Sequence, residues 1–344
     1  MRKMRKLVVV LLIAVTLLNS VWAKAKENDK METDISYARQ VASFFIKSSD
    51  KKVKITDEIV INNLFQKPEV VLFELGENGY LIVNIHDLSV PEMSFDNKNP
   101  YHDVKEPIYN GPLHYYYIDN GEYVSIDGSV KINIKEITEF YTKKECEDKE
   151  EYVKKLLSTK KDSWGRIKSE KIIRGLKKWR NPGHCCGAVA SAIYMRYMYD
   201  YVNPLYGRHR QVQENAFIIE MQRWVGPASA SEYELCDGLN DYLFNYGLSI
   251  YDYDDDDDDD ANWNEARMCS YSFFAAKSRI NYNRPVIQKI RDYIPGTDHW
   301  VLTYGYCIYP GNAEFIIIND GNGSDGIYIE ADDSYLGEMV YLIR

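Results

Sequence analysis

Five strand-like segments follow one another at the C-terminal end, and they come after a run of helix-like segments. The strands read as Pro285–Ile290, His299–Tyr306, Glu314–Asn319, Gly326–Glu330 and Met339–Ile343. Before them, a helix is predicted over 186–201, with Val189, Ile193 and Tyr197 on one stripe and Ala188, Ala190 and Ala192 allowing close approach. Two more helices are predicted near 213–224 and 231–245. Helices first and a sheet afterwards define an α+β domain. The N-terminal part has its own small α+β pattern. Ile35, Ala38, Val41, Ala42 and Phe45 lie at helical spacing over 30–49. A hairpin follows, Pro68–Leu75 and Tyr80–Ile85 around Gly76-Glu77-Asn78-Gly79, with further strands near 114–118 and 122–134. Between Lys143 and Lys178 charged residues dominate, as in a linker open to proteolysis. The expected units are therefore residues 1–25, 26–155 and 156–344.

The first unit has the pattern of an export signal. MRKMRK supplies a basic start, Leu7 to Trp22 an apolar run, and Ala23-Lys24-Ala25 a small-residue cleavage site. Thr16, Asn19 and Ser20 interrupt the run, which makes it short for a bilayer span. Secretion is the expectation, with no membrane association after cleavage. Cleavage would remove Arg2, Lys3, Arg5, Lys6 and Lys24 and no acid, taking the formal charge from −10 to −15. A surface so acidic repels nucleic acid and anionic membranes. The six cysteines show no zinc-site spacing, so neither a metal nor another cofactor is expected. Asp254 to Asp260 are seven acids in a row without the spaced ligands and turn glycine of a calcium loop. They read as a solvated loop.

Asn181-Pro182-Gly183-His184-Cys185-Cys186-Gly187 places a turn directly before the long helix. A thiol at a helix N-terminus meets unpaired amides and the positive end of the helix dipole, which favour thiolate, the nucleophilic form. Helix position alone leaves a buried structural cysteine equally open. The segment Asp298-His299-Trp300-Val301-Leu302-Thr303-Tyr304-Gly305-Tyr306 alternates as a strand with a histidine near its start. The next strand ends in Asn319-Asp320-Gly321. A cysteine nucleophile needs a base beside it and a third group to fix the imidazole. Cys186, then His299, then Asn319 or Asp320 supplies those parts in order. His184 stands on a turn and is a poor base, and His209 among Tyr206, Arg208 and Arg210 reads as a surface residue.

The stretch Cys186-Gly187-Ala188-Val189-Ala190-Ser191-Ala192-Ile193-Tyr194-Met195-Arg196-Tyr197 resembles the nucleophile helix of streptopain-type peptidases, C-x-A-x-A-[ST]-A-x-x-M-[KR]-Y. That register makes Cys186, not Cys185, the nucleophile. Cys186-Gly187 and His299 to Tyr306 also resemble the related double-glycine leader peptidases, whose third residue is the Asp of an N-D-P stretch, matching Asp320. In streptopain-like enzymes an N-W-G asparagine matches Asn319 instead. Pro68 to Tyr101, with Val71-Leu72-Phe73-Glu74-Leu75 and Pro91-Glu92-Met93, resembles the streptopain propeptide. The resemblance implies a papain-like cysteine peptidase domain preceded by a propeptide-like inhibitory domain. The implied partners are protein or peptide substrates, with the propeptide bound in cis until a cut in the charged segment releases it. No tryptophan-rich run follows Asn319, and the glutamine that normally precedes the nucleophile is missing. Asn181 stands near its place as a candidate oxyanion donor, beside the Cys186 N–H. A cell-wall thiol amidase and an inactive binding protein of the same fold are the alternatives. An amidase would usually offer a second histidine as the third group.

Overall fold

The computed structural model describes residues 29–133, 148–158, 169–183, 185–206, 213–226, 230–248, 265–292, 294 and 297–343. The export signal, Cys146, His184, His209 and the Asp254–Asp260 tract lie outside the described residues. The chain is α+β, as expected. Helix α1 covers 29–48, and its apolar stripe of Ala38, Val41, Ala42 and Phe45 is buried. Strands β1 (Ile55–Asn62), β2 (Pro68–Leu75), β3 (Tyr80–Asn84) and β4 (Glu92–Ser94) follow. The hairpin read from sequence is β2–β3, turning through Gly76 and Gly79 at positive φ. Next come β5 (Pro107–Tyr109), β6 (Tyr115–Asp119), β7 (Glu122–Ser125) and β8 (Lys131–Asn133).

The described residues of the segment read as a linker are not all loop. They include helix α2 (Lys149–Ser158) and strand β9 (Ser169–Ile172). Val153 is buried and Lys149 pairs with Asp34 at 2.7 Å, which ties α2 to α1. Strand β9 pairs with a later strand, a non-local contact that alternating charged residues do not announce.

Helix α3 (Cys186–Tyr197) continues into a π-helical turn at Met198–Val202, and α4 (Glu214–Val225) and α5 (Glu232–Asn245) pack beside it. Ser231 and Glu234 form a capping box that starts α5. The remaining elements are β10 (Glu265–Cys269), α6 (Phe273–Asn281), β11 (Val286–Ile290), β12 (His299–Ile308), β13 (Glu314–Asn319), β14 (Asp325–Glu330) and β15 (Leu336–Ile343).

Both parts of the chain share one sheet, ordered β10-β15-β11-β12-β13-β14-β4-β3-β2-β1-β5-β6-β7-β8. The join is antiparallel pairing of β14 with β4, with Tyr328 opposite Met93. Asn97 Nδ2 donates to the Asp325 carbonyl at 2.7 Å and Ser94 Oγ to the Gly326 carbonyl at 3.1 Å. One apolar core also spans the join. Phe45 meets Tyr309 and Phe315 at ring separations of 5.0 and 5.7 Å, and Phe95 meets Tyr328 at 5.8 Å. The two α+β patterns legible in the sequence are thus fused side by side, not tethered as separate sheets.

Candidate active site

Cys186 opens α3, with Cys185 as N-cap residue and nearly every side chain of the helix buried. A Cβ at Gly187 would stand 3.1 Å from Leu235 Cδ1 and 3.5 Å from Trp300 Cδ1. The missing side chain lets Leu235 of α5 come close to the start of α3, with Trp300 of β12 beside it at ordinary contact distance. Trp300 is anchored in turn by its indole N–H, which donates to the Ala230 carbonyl at 3.0 Å.

His299 is the first residue of β12, and its imidazole is hydrogen-bonded to the Cys186 thiol. Its Nε2 lies 2.7 Å from the Asp320 main-chain carbonyl. A carbonyl only accepts, so Nε2 carries a proton and Nδ1 is the nitrogen turned to sulfur. Burial alone would lower the His299 pKa, but the Cys186 hydrogen bond and charge outweigh it and push the value up to about 9. Burial would likewise raise the Cys186 thiol. The hydrogen bond and positive charge of His299, with the amides of Gly187 and Trp300, bring it below its ordinary value instead. The two directions agree: each partner favours the charged form of the other. Cys185 behaves oppositely: burial and the neighbouring Cys186 push its thiol up. Cys185, Cys186, Cys236, Cys269 and Cys307 are all free thiols.

The turn after β13 braces this pair. Asp320 hydrogen-bonds the imidazole through its main-chain carbonyl, and its carboxylate acts on it only by charge. Asp320 Oδ1 folds back to accept from the Asn322 and Ser324 amides at 2.8 and 2.9 Å. Asn319 points elsewhere: Oδ1 accepts from Gly321 N at 2.9 Å, and Nδ2 donates to the Lys177 carbonyl at 3.3 Å. Gly321 has φ +71°, and a Cβ there would lie 3.4 Å from Val189 Cγ1 on α3. Asn181 N donates to the Gly321 carbonyl at 2.8 Å, so the same turn is tied to the entrance of α3. The side-chain oxygen of Asn181 accepts from Gly183 N and Cys185 N at 3.0 and 3.1 Å. It shapes the turn before the helix, and only its amide nitrogen is left for the oxyanion role expected of it.

Groups that the sequence reading missed approach His299 from the N-terminal part. The loop leading into His299 contains Asp292, whose side chain is fully buried. Asn110 Nδ2 donates to Asp292 Oδ1 at 2.5 Å, while Tyr116 OH and Thr297 Oγ1 donate to Oδ2 at 2.8 and 2.5 Å. Glu92 on β4 is another fully buried carboxyl. It accepts from the hydroxyls of Tyr80 and Tyr115 and from Leu113 N, and burial raises its pKa. The loop from Asn110 to Tyr116 is therefore held between two carboxyl groups. No local motif marks Asp292, whose contacts with Asn110 and Tyr116 join positions about 180 apart in sequence.

No family model matches this chain, and no curated protein matches it. A solved structure of a prointerpain A fragment from Prevotella intermedia is similar to it over 84% of this chain and 97% of that one. The identity is 10% and the TM-score 0.39, too low to carry an argument.

Proposed function

We propose that this chain is a secreted cysteine peptidase of papain-like fold. The observation that carries the reading is the Cys186–His299 pair, with a buried thiol at a helix start and the second imidazole nitrogen donating to Asp320. In the reaction the Cys186 thiolate attacks the peptide carbonyl carbon, and charge moves to the carbonyl oxygen. The Cys186 N–H and the Asn181 amide are the candidate donors to that oxyanion. His299 hands its proton to the leaving amine as the C–N bond breaks, which leaves a thioester. Water then gives a proton to His299 and its oxygen to the acyl carbon, releasing the acid and the thiolate. No metal or cofactor is called on.

Residues 26–155 are proposed to act in the precursor as a cover. Leu113 to Tyr116 and Ser125 to Asp127 line the same cavity as His299. A cut within 143–178 is proposed to sever the covalent link. Once the chain is cut, the β4–β14 pairing and the shared core favour retention of the N-terminal part over release. Each aromatic pair across the join contributes about 0.5–1.5 kcal/mol beyond its area burial.

The test is iodoacetamide labelling with peptide mapping, together with casein and cell-wall peptide hydrolysis before and after a linker cut. Alkylation of Cys186 with casein hydrolysis supports a peptidase. Hydrolysis of cell-wall peptides alone makes it an amidase, and an unreactive Cys186 makes it a binding protein. Chromatography of the cut protein separates the two fates. Co-elution of both pieces supports retention, whereas a free N-terminal piece that inhibits in trans makes it a propeptide.

A further inference from the structure

A second cavity, of about 450 Å³, lies at the far end of α3 from Cys186. Met198 on its wall follows the last residue of the 12-residue helix that Cys186 begins, about 18 Å away along the axis. Met198, Leu342 and Ile343 give the cavity apolar surface, and Ser278, Arg279 and Arg284 give it polar surface. No carboxylate lines it, in a chain with a formal charge of −10. Arg279 Nη1 donates to the Leu342 carbonyl at 3.1 Å, and its guanidinium lies over the Tyr341 ring at 3.9 Å. Arg284 Nη1 reaches the Met198 sulfur at 3.8 Å, a weak acceptor. Among the described residues neither arginine has an acidic partner. We propose that this cavity binds a small organic anion, a phosphate ester or carboxylate with an apolar body, with Arg279 and Arg284 as its charged partners.

The fold sets the two charges side by side before any ligand arrives. Helix α6 ends at Asn281, and the amides of Tyr282 and Arg284 both turn back to donate to the Arg279 carbonyl at 3.0 Å. Asn283 takes φ +56° in this turn, and its carbonyl accepts from Tyr197 OH at 3.1 Å. Two like charges so placed repel each other, and an anion that meets both removes that cost. The end of α3 favours cations through its dipole, yet neither arginine donates to one of its carbonyls. A guanidinium presents paired N–H donors that match the oxygens of a phosphate or carboxylate. Arg279, stacked on Tyr341, has little freedom left to lose on binding. Ser278, one residue earlier on α6, adds a hydroxyl donor. Met198 and Leu342 are 2% and 4% exposed, an apolar floor for the body of the ligand. Tyr282, 78% exposed at the rim, offers a ring for an aromatic body to stack on. Apolar walls with a few convergent polar groups are the ordinary form of a small-molecule site. Two guanidinium charges match the dianion of a phosphate monoester better than a single carboxylate. The site does not depend on the reaction at Cys186.

The test is calorimetric titration of the full chain, carrying Cys186→Ala so that it stays whole, with phenyl phosphate, phenylacetate, inorganic phosphate and benzyl alcohol. Phenyl phosphate is expected to bind tightest, about tenfold above each of the others, because it alone joins two negative charges to a ring. High salt should weaken it. Adding Arg284→Gln should lower its affinity about tenfold or more, the worth of a charged hydrogen bond. Ser278→Glu gives a second reading that does not remove an arginine. A carboxylate on that wall should abolish phenyl phosphate binding and raise the thermal midpoint by about 1–2 °C, as the like charges gain a partner. Phenylacetate binding above phenyl phosphate keeps the anion site and makes its ligand a carboxylate. Equal affinity in the parent, Arg284→Gln and Ser278→Glu proteins overturns the proposal, as does no binding up to about 10 mM. Tightest binding by benzyl alcohol overturns it too, since the cavity would then be a neutral apolar one.

Discussion

The two members of the catalytic pair are held in different ways. Cys186 is placed mainly by its own neighbourhood: the Asn181 turn before it and the α3 backbone after it. His299 sits at the end of a loop fixed by distant residues. Asp292 takes hydrogen bonds from Asn110 and Tyr116, and Asp298 Oδ2 pairs with Lys289 at 2.9 Å. Asp298 Oδ1 accepts from Asp292 N at 3.0 Å, which ties the loop to itself. A helix start carries its electrostatics in the backbone. A strand start must borrow its position from the surroundings. The nucleophile side should therefore tolerate changes in the N-terminal part, and the base side should not.

The largest effects fall on the pair itself. Cys186→Ala should abolish hydrolysis in the assay used for wild type. His299→Ala should lower it by about two or more orders of magnitude, because both the base and the general acid are lost. Circular dichroism should stay near wild type in each case. Retention of most activity by His299→Ala would break the assignment of the base. Within the helix start, Cys186 should be alkylated at neutral pH far faster than Cys185, whose thiol is pushed the other way. Faster labelling of Cys185 would shift the register by one.

Asp292→Ala tests the contrast directly. It strands the Asn110, Tyr116 and Thr297 donors in a buried site, at about 1–3 kcal/mol for each unsatisfied group and less than additively. The expected loss of unfolding free energy is about 3 kcal/mol, read by urea denaturation. Activity should fall about tenfold or more as His299 loses its fixed approach. Asp237→Ala, on α5 and away from this loop, should change neither by much. Equal behaviour of the two variants would mean that the N-terminal part does not hold the base.

The pH dependence separates the partners by sign. The His299 pKa rises from an ordinary 6.5 to about 9 on folding. The stability from its charged form is therefore complete below 6.5 and lost as pH rises through about 9. Peptide hydrolysis needs the imidazolium for the leaving amine, so kcat/KM should fall above about pH 9. Alkylation needs only the thiolate and should not fall there. A parallel decline in both would locate the titrating group elsewhere.

Legibility in the sequence follows the same contrast. The α3 start, the β2–β3 hairpin and the C-terminal strands were readable because period and turn chemistry are local. Cys186 and His299 could be read from a helix start and a strand start. The single sheet could not, since β4 has three residues and its pairing with β14 spans most of the chain. Nor could α2 and β9, hidden in a charge-rich stretch and fixed by Asp34 and β12. Asp292 carries no motif at all, and Glu92 is marked only by the Pro91-Glu92-Met93 likeness. What makes them notable is burial, which arises only when distant segments meet.

The smallest expected effect concerns Asp320, where composition and geometry part. The sequence offered Asn319 or Asp320 as the group that orients the imidazole, through a side chain. The contact in place is the Asp320 carbonyl, and the carboxylate serves the turn by accepting from Asn322 N and Ser324 N. Asp320→Asn keeps an oxygen for both amides and leaves the carbonyl where it is, so kcat/KM should stay within about twofold of wild type. Asp320→Ala frees two amides and loosens the turn, and a loss of about 3–10-fold follows from a hydrogen bond or two at about 1 kcal/mol each. Asn319→Ala should resemble Asp320→Ala, because Asn319 braces the same turn through Gly321 N and the Lys177 carbonyl. A carboxylate whose charge dominates at the imidazole predicts another order: Asn and Ala at 320 equally damaging, and Asn319→Ala mild. Measuring the three variants beside the Cys186 alkylation rate decides between them. A turn-mediated effect lowers labelling and hydrolysis together, whereas loss of an ionic partner also moves the alkaline limb of the pH profile below about 9.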